Sequence, residues 1–423
     1  MLRRIFALFT VFSFTLHLSA ADPMATSFSY DDCRASLRPY PLEVKPTAYP
    51  DSLTPVMINH VGRHGARYAA SATNTETLKT ALVKASASGT ITPLGKRLLA
   101  ITDDVMELSH GRWGALDSLG EYEQRMLASR MYATFRPVFD KAVVSAISSY
   151  SPRVMMSMYS FTHQLDRLDN KIEFSTATGR KYSYLMRPFD TSKEFQEFYK
   201  SAEVMDTYDT YFRQACPVTA IERVLGKDFD YGDATQKQTL AITEYYVLAG
   251  LAAMSYDCNL SQFFTIEEIN ALWSCFNLRQ YLQRTATTLS SEPADIATDL
   301  LKDLIETTDD FIAGDTRVNV FLRFGHAETV LPLVSLMRLP GCYYMTNYFD
   351  TVARNWQDFN IVPMAANVQM ILFRHNKSGK YYVRLDLNEH PLPFIPGSDA
   401  IYIPWDTART YLTRCLPLHA MMD

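Results

Sequence analysis

The chain of 423 residues lacks several features, and each absence closes off a class of function. It has no basic excess. Its 41 Lys and Arg against 46 Asp and Glu give a formal charge of −5, so the basic surface of a general nucleic-acid binder is missing. Glycine (16) and proline (20) are too few for a collagen or a low-complexity polymer. After the N-terminal segment no apolar run approaches the ~20 residues of a membrane span. The six cysteines form no CxxC pair, which argues against a zinc knuckle or thioredoxin site. None has an arginine six places on, as a cysteine-based phosphatase would. GxSxG and the P-loop lysine string are absent as well. What is present is ordinary globular usage, 47% hydrophobic and 21% charged. The length suits two or three folding units at ~100–200 residues each. Net negative charge does not forbid a local basic pocket, because short-range pairing is set by nearby groups.

The first residues read as an address. Arg3 and Arg4 precede an apolar run over 5–18, followed by the small residues Ser19, Ala20 and Ala21. This pattern predicts a cleaved signal peptide at 1–21. The product is expected to be exported, periplasmic or secreted, with no stable membrane span and two units more negative than the precursor. In an oxidising compartment, Cys33, Cys216, Cys258, Cys275, Cys342 and Cys415 allow up to three disulfides in fifteen arrangements. Cys258 and Cys275 are the pair expected to be near each other. The alternative is a set of buried free thiols.

Along the chain, 33–54 reads as an extended, proline-rich lead-in and 55–61 as a buried strand. Helices are expected over 92–111 and 119–139, the latter with Met126, Leu127, Arg130 and Met131 at helical spacing. A strand is expected over 152–158. Residues 190–312 read as mostly helical, notably 237–254 and 266–284. A strand over 318–324 runs into Gly325-His326-Ala327-Glu328, then a helix from Thr329. Strands over 369–373 and 381–387 flank a turn with Asn376 and Gly379. Alternating strands and helices predict an α/β fold, a mainly parallel sheet flanked by helices. The core is expected over 22–189 and 313–423, with 190–312 as an inserted helical cap. Ligands of such sheets sit beyond the carboxyl ends of the strands, where both loaded segments, 62–67 and 325–328, fall.

The densest chemistry is Arg63-His64-Gly65-Ala66-Arg67. On a helical first turn, Arg63 and Arg67 share a face. Arginine stays charged and matches phosphate oxygens with two prongs. Gly65 permits close backbone approach to a ligand, and a helix start favours anions. A histidine between cations has its pKa lowered, which keeps it neutral and nucleophilic. Any one of these residues alone reads as a surface arginine or a satisfied core histidine. Together they describe an anion pocket with a nucleophile at its centre.

That string after a buried strand resembles the signature of the histidine phosphatase superfamily. Gly120, Glu123, Leu127 and Arg130 are similar to its G-x-x-E-x-x-x-L-x-x-R helix. Arg153, Ser157 and Phe161 resemble the segment carrying a third phosphate-binding arginine. Residues 185–190 (LMRPFD) resemble the stretch before the cap, and Gly325-His326-Ala327-Glu328-Thr329 resembles the second half of the site. Most acid phosphatases of the superfamily have His-Asp there. The His-Ala-Glu form, with Asn388-Glu389, looks like the multiple inositol polyphosphate phosphatase branch and shifts the expected substrate to inositol phosphates.

The resemblance implies a mechanism. His64 attacks phosphorus and becomes a phosphohistidine. Arg63, Arg67, Arg153 and His326 hold the non-bridging oxygens. Glu328 protonates the leaving oxygen and then activates water. Burial raises a carboxyl pKa and neighbouring arginines lower it, and the sequence leaves that contest open. Without a phosphatase role, Glu328 reads as a first-turn carboxylate on a helix dipole. No cofactor is expected. No metal is expected either, since His60 and His64 straddle a strand end with no third ligand near. His60 reads as a packing or supporting residue. The sequons at Asn259 and Asn376 matter only in a eukaryotic secretory route. Competing readings are a broader phosphatase for sugar or glycerate phosphates and, in another class, a non-catalytic phosphate-binding protein. An export signal makes a phosphoglycerate mutase implausible.

Overall fold

The structure, a computed structural model, describes residues 27–421. The expected leader at 1–21 lies outside them. The sheet strands run β1 Leu53–Arg63, β2 Val143–Ser148, β3 Glu173–Thr178, β4 Val320–Gly325, β5 Asn367–His375, β6 Tyr381–Leu387, β7 His390–Leu392 and β8 Ile403–Pro404. Their order is β3-β2-β4-β1-β5-β6-β7, with β8 on β6. β3, β2, β4 and β1 are parallel, whereas β5 to β8 pair antiparallel. The sheet is therefore mixed, with parallel strands at the end that carries the site. The β5–β6 and β6–β7 pairs are antiparallel because the short turns that join them cannot make a parallel crossover.

β1 is buried along nearly its whole length, as expected of a central strand covered on both faces. One face is covered by α3 (Ser118–Thr134) and α4 (Pro152–Leu168). Their Leu127, Met131, Met158, Phe161 and Leu165 pack with Val144, Leu322 and Phe324 of the strands. The strand expected over 152–158 is in fact the start of α4. Pro152 sits at its first position, where its fixed φ suits a helix, and Val154, Ser157, Met158 and Phe161 are buried at helical spacing.

Residues 190–312 carry helices, including α5 (Ala202–Ala215), α6 (Ala234–Ala249), α7 (Ile266–Arg284) and α8 (Thr298–Ala313). They pack in two directions. Phe212, Leu248, Phe263 and Trp273 join Leu78, Leu82 and Leu98 of α1 (Thr73–Ala87) and α2 (Pro93–Leu108). Leu278, Leu282, Leu301 and Leu304 join the other sheet face with α9 (Ala327–Leu336) and α10 (Trp405–Cys415). α7 thus belongs to both clusters and ties the helical region to the sheet.

All six cysteines are buried and free. The thiol beside Cys275 is that of Cys216, with which it shares a hydrogen bond; Cys258, expected near Cys275, lies in the same buried cluster. Helical pairing places Cys216 there: it caps α5, which packs along α7.

Candidate active site

Register brings the site together. β1 and β4 pair in parallel with Arg63 opposite Gly325, so both strands end at one edge. The segments 63–67 and 325–328 leave that edge side by side. The His64 N–H donates to the Gly325 carbonyl at 3.1 Å, and its own carbonyl accepts from Ala365 N–H at 2.9 Å. No helix begins at Arg63. Residues 64–67 form an irregular loop, and α1 starts only at Thr73, so the shared helical face expected for Arg63 and Arg67 is not how they meet. The loop is instead clamped from outside. Buried Glu123 accepts the Ala66 and Tyr40 N–H groups, both at 2.7 Å. Ser157 accepts from Gly65 N–H at 3.1 Å, and Gln124 donates to the Arg63 carbonyl at 3.0 Å. The close approach that Gly65 permits is to protein and not to ligand, since a Cβ there would lie 2.3 Å from the Gly120 carbonyl oxygen.

His64 is 3% exposed. Its Nδ1 lies 2.9 Å from the Gly65 carbonyl. A carbonyl only accepts, so Nδ1 carries the hydrogen and Nε2 keeps its lone pair. Burial first, then Arg63, Arg67 and Arg153, hold its pKa well below the usual value. The sequence alone points only to the cations. The His326 ring stands 5.6 Å away at 78°. Its Nε2 is 2.8 Å from Arg187 Nη1 and 3.0 Å from Ser149 Oγ. Arginine has no acceptor, so this Nε2 accepts and Nδ1–H remains the donor. Burial and the cations Arg153 and Arg187 push His326 down to about 3, against the pull of Glu328.

Arg63, His64, Arg67, Arg153, Arg284 and Glu328 line one cavity of about 360 Å³. Arg63 is anchored by its Nη1 to the Ser36 and Val362 carbonyls, at 2.6 and 2.5 Å. Arg67 donates to the Tyr68 carbonyl at 2.8 Å. Yet the buried Nε atoms of Arg63, Arg67 and Arg153 have no partner. Unpaired buried donors of like charge are costly. Burial and the neighbouring guanidinium lower the pKa of Arg63 to about 9 and of Arg67 to about 10. Three guanidinium groups lining one cavity suit an anion with several oxygens.

Glu328 opens α9 and is half-buried at the cavity wall. Burial pushes its pKa up, but Arg284, His326 and Arg63 outweigh that and hold it at about 2. The contest left open by the sequence goes to the cations. Arg187, Ser149, Arg284, Gln280 and Glu123 were not singled out as site residues. Arg187 and Glu123 stand within recognised motifs, whereas Arg284 and Gln280 carry no local signal. His60 is enclosed by Phe161 and Phe324, with both ring nitrogens unpartnered. Among the described residues, no cluster of three His, Cys, Asp or Glu could hold a metal, and no helix is long and apolar enough to cross a membrane.

A sequence model of the histidine phosphatase superfamily (branch 2) matches residues 56–388. The chain belongs to that superfamily. It is a phosphatase. A curated relative, multiple inositol polyphosphate phosphatase 1 of Homo sapiens, is 26% identical over 443 aligned residues, covering 93% of this chain and 88% of the human one. The fold is shared with multiple inositol polyphosphate phosphatase of Bifidobacterium longum, solved in complex with inositol hexasulfate. There the TM-score is 0.76 at 16% identity, over 92% of this chain and 99% of that one. The phytase from D. castellii matches at TM-score 0.69 and 17% identity, over 94% of this chain and 89% of that one. The resemblance seen in the motifs thus extends over most of the chain in both sequence and fold.

Proposed function

We propose that this phosphatase is an exported phosphomonoesterase that hydrolyses phytate and lower inositol polyphosphates through a phosphohistidine. The observation that carries the reading is the set of three guanidinium groups, of Arg63, Arg67 and Arg153, that line one cavity with a neutral His64. They supply donors for a phosphoryl group and leave a lone pair to attack it. His64 Nε2 forms the bond to phosphorus as the inositol oxygen leaves with the proton of Glu328. Arg63, Arg67, Arg153 and the Nδ1–H of His326 hold the equatorial oxygens. Water, deprotonated by Glu328, then releases phosphate and restores both groups. The inositol hexasulfate bound by the Bifidobacterium relative supports the substrate class. Export rests on the leader at 1–21, and N-terminal sequencing of the mature protein tests it. Residues 190–312 act as the cap over a core of 22–189 and 313–423.

One observation favours a broader reading, an acid phosphatase for sugar or glycerate phosphates. Beyond Arg63, Arg67 and Arg153, Arg284 is the sole arginine or lysine lining the cavity among the described residues. Apart from Glu328, the rest of the wall is uncharged, with Val105, Leu251, Met254 and Phe276 beside Ser71, Asn74, Thr75 and Gln280. Phosphate release from phytate, fructose bisphosphate and glycerol phosphate, run side by side, separates the two. An inositol polyphosphate phosphatase should prefer phytate, with turnover lost in His64→Ala. Equal or better turnover of the smaller esters would transfer the assignment to them. Phosphate binding without any turnover would support the non-catalytic class.

A further inference from the structure

Glu328 does not stand free in its cavity. Arg284, the last residue of α7, places Nη2 3.0 Å from Glu328 Oε1. The Arg284 Nε donates to Gln280 Oε1, one turn back, at 2.6 Å. The guanidinium is thus aimed by its own helix, and Gln280 and Arg284 line the same cavity. The other charged or titratable groups that face Glu328 are Arg63, Arg67, Arg153 and His326. All four are engaged by the scissile phosphate in the proposed function, on which this inference rests. Arg284 is left over. A carboxylate clasped by arginine has no proton to give, yet the leaving oxygen needs one.

We propose that Arg284 is a clasp on the general acid, and that a ring phosphate adjacent to the scissile one draws the guanidinium off Glu328. A guanidinium takes phosphate oxygens in a two-pronged, charge-assisted fashion. A phosphate monoester brings about −1.5 to −2 charge against the carboxylate's single one. Glu328 then loses its nearest cation and gains an anionic neighbour, and both changes favour its protonated form. It takes a proton from water or from the entering phosphate monoanion. The steps balance. The N–P bond forms at His64 as the P–O bond breaks, and the Glu328 proton goes to the inositol oxygen. Water then adds to phosphorus, its proton returns to Glu328, and the N–P bond breaks. When the product leaves, Arg284 returns and the proton goes to solvent. A substrate lacking a neighbouring phosphate leaves the clasp shut. Discrimination for polyphosphorylated rings therefore enters the chemical step as well as binding.

The test compares wild type, Arg284→Gln and Arg284→Lys on phytate, inositol monophosphate and p-nitrophenyl phosphate across acid pH. Nitrophenolate leaves without a proton, so its rate is the reference for each enzyme. In Arg284→Gln at about pH 5, the monophosphate-to-nitrophenyl ratio should rise about tenfold or more, since each pKa unit is tenfold in protonated acid. The phytate-to-nitrophenyl ratio should fall, and Arg284→Lys should keep the wild-type ranking. Loss of all three activities by one common factor, or unchanged ratios in Arg284→Gln, would overturn the clasp. A wild type that spares phytate but cleaves the other two contradicts the substrate reading. The monophosphate ratio still decides the clasp in that case.

Discussion

The Arg187 guanidinium donates to His326 Nε2 at 2.8 Å and thereby fixes which nitrogen of that ring carries hydrogen. His326 is left neutral with Nδ1–H as its donor. The same arrangement recurs at His64 with the tautomer set by the Gly65 carbonyl. Two imidazoles separated by most of the chain are each held in one tautomer by neighbouring groups, one to donate and one to attack.

Removing the acid should split substrates by leaving group. General acid catalysis contributes about 10²–10⁴-fold. Glu328→Gln should lose that much on an inositol phosphate at acid pH and far less in the first step on nitrophenyl phosphate. Single-turnover rates of nitrophenolate and inositol release, which report the first step alone, check it, and equal losses on both would remove Glu328 from the acid role.

The arginines should act on the transition state. Deleting one preorganised donor typically costs about 10²–10³-fold in kcat. Arg67→Ala and Arg153→Ala should each fall in that range while thermal stability holds or rises, because each change relieves crowding among buried cations. Phosphate inhibition should weaken in parallel.

How the fold could be read from sequence depends on the range of the signal. The strands at 55–61 and 318–324 and the helix over 266–284 were legible because their patterns are local. The start of α4 was not, since Pro152 and the β-branched Val154 suit a strand as well as a first helical turn. The cradle was legible as a five-residue string, but its geometry was not. Arg63 and Arg67 are brought together by a loop clamped by Glu123 and Ser157, which are 57 and 92 residues away from their loop partners. Arg284 left no trace in the sequence, because its meaning comes from Glu328 across the cavity.

Gly65 shows the same point and gives a stability test. Its Cα faces the Gly120 backbone, and a Cβ would sit 2.3 Å from the carbonyl oxygen there. Gly65→Ala should cost about 1–3 kcal/mol through forced backbone shifts and should displace His64. Chemical denaturation and phosphatase assay together check this. A stable, fully active Gly65→Ala would mean the contact is slack.

Glu244 predicts a pH dependence of stability. It is fully buried on α6 with neither carboxylate oxygen partnered. Burial raises its pKa to about 8, with Arg223 opposing and Glu268 assisting. The folded chain therefore holds a proton that the unfolded chain releases near the ordinary carboxyl pKa. Stability from this group is fullest below about pH 4.5 and falls as pH rises toward 8. Glu244→Met should flatten that slope and stabilise the protein at pH 8, on the order of 3 kcal/mol. Melting temperatures of both proteins across that range measure it. Parallel curves would refute the assignment.

The whole mechanism stands on His64 carrying the phosphoryl group. A rapid alkaline quench of the enzyme turning over nitrophenyl phosphate, followed by peptide mass mapping, examines that step itself. Phosphate should be found on the His64 imidazole in wild type, more of it in Glu328→Gln, where the activating base is gone, and none in His64→Ala. Full turnover with no covalent phosphate in wild type or Glu328→Gln, or phosphate on another side chain, would refute the mechanism.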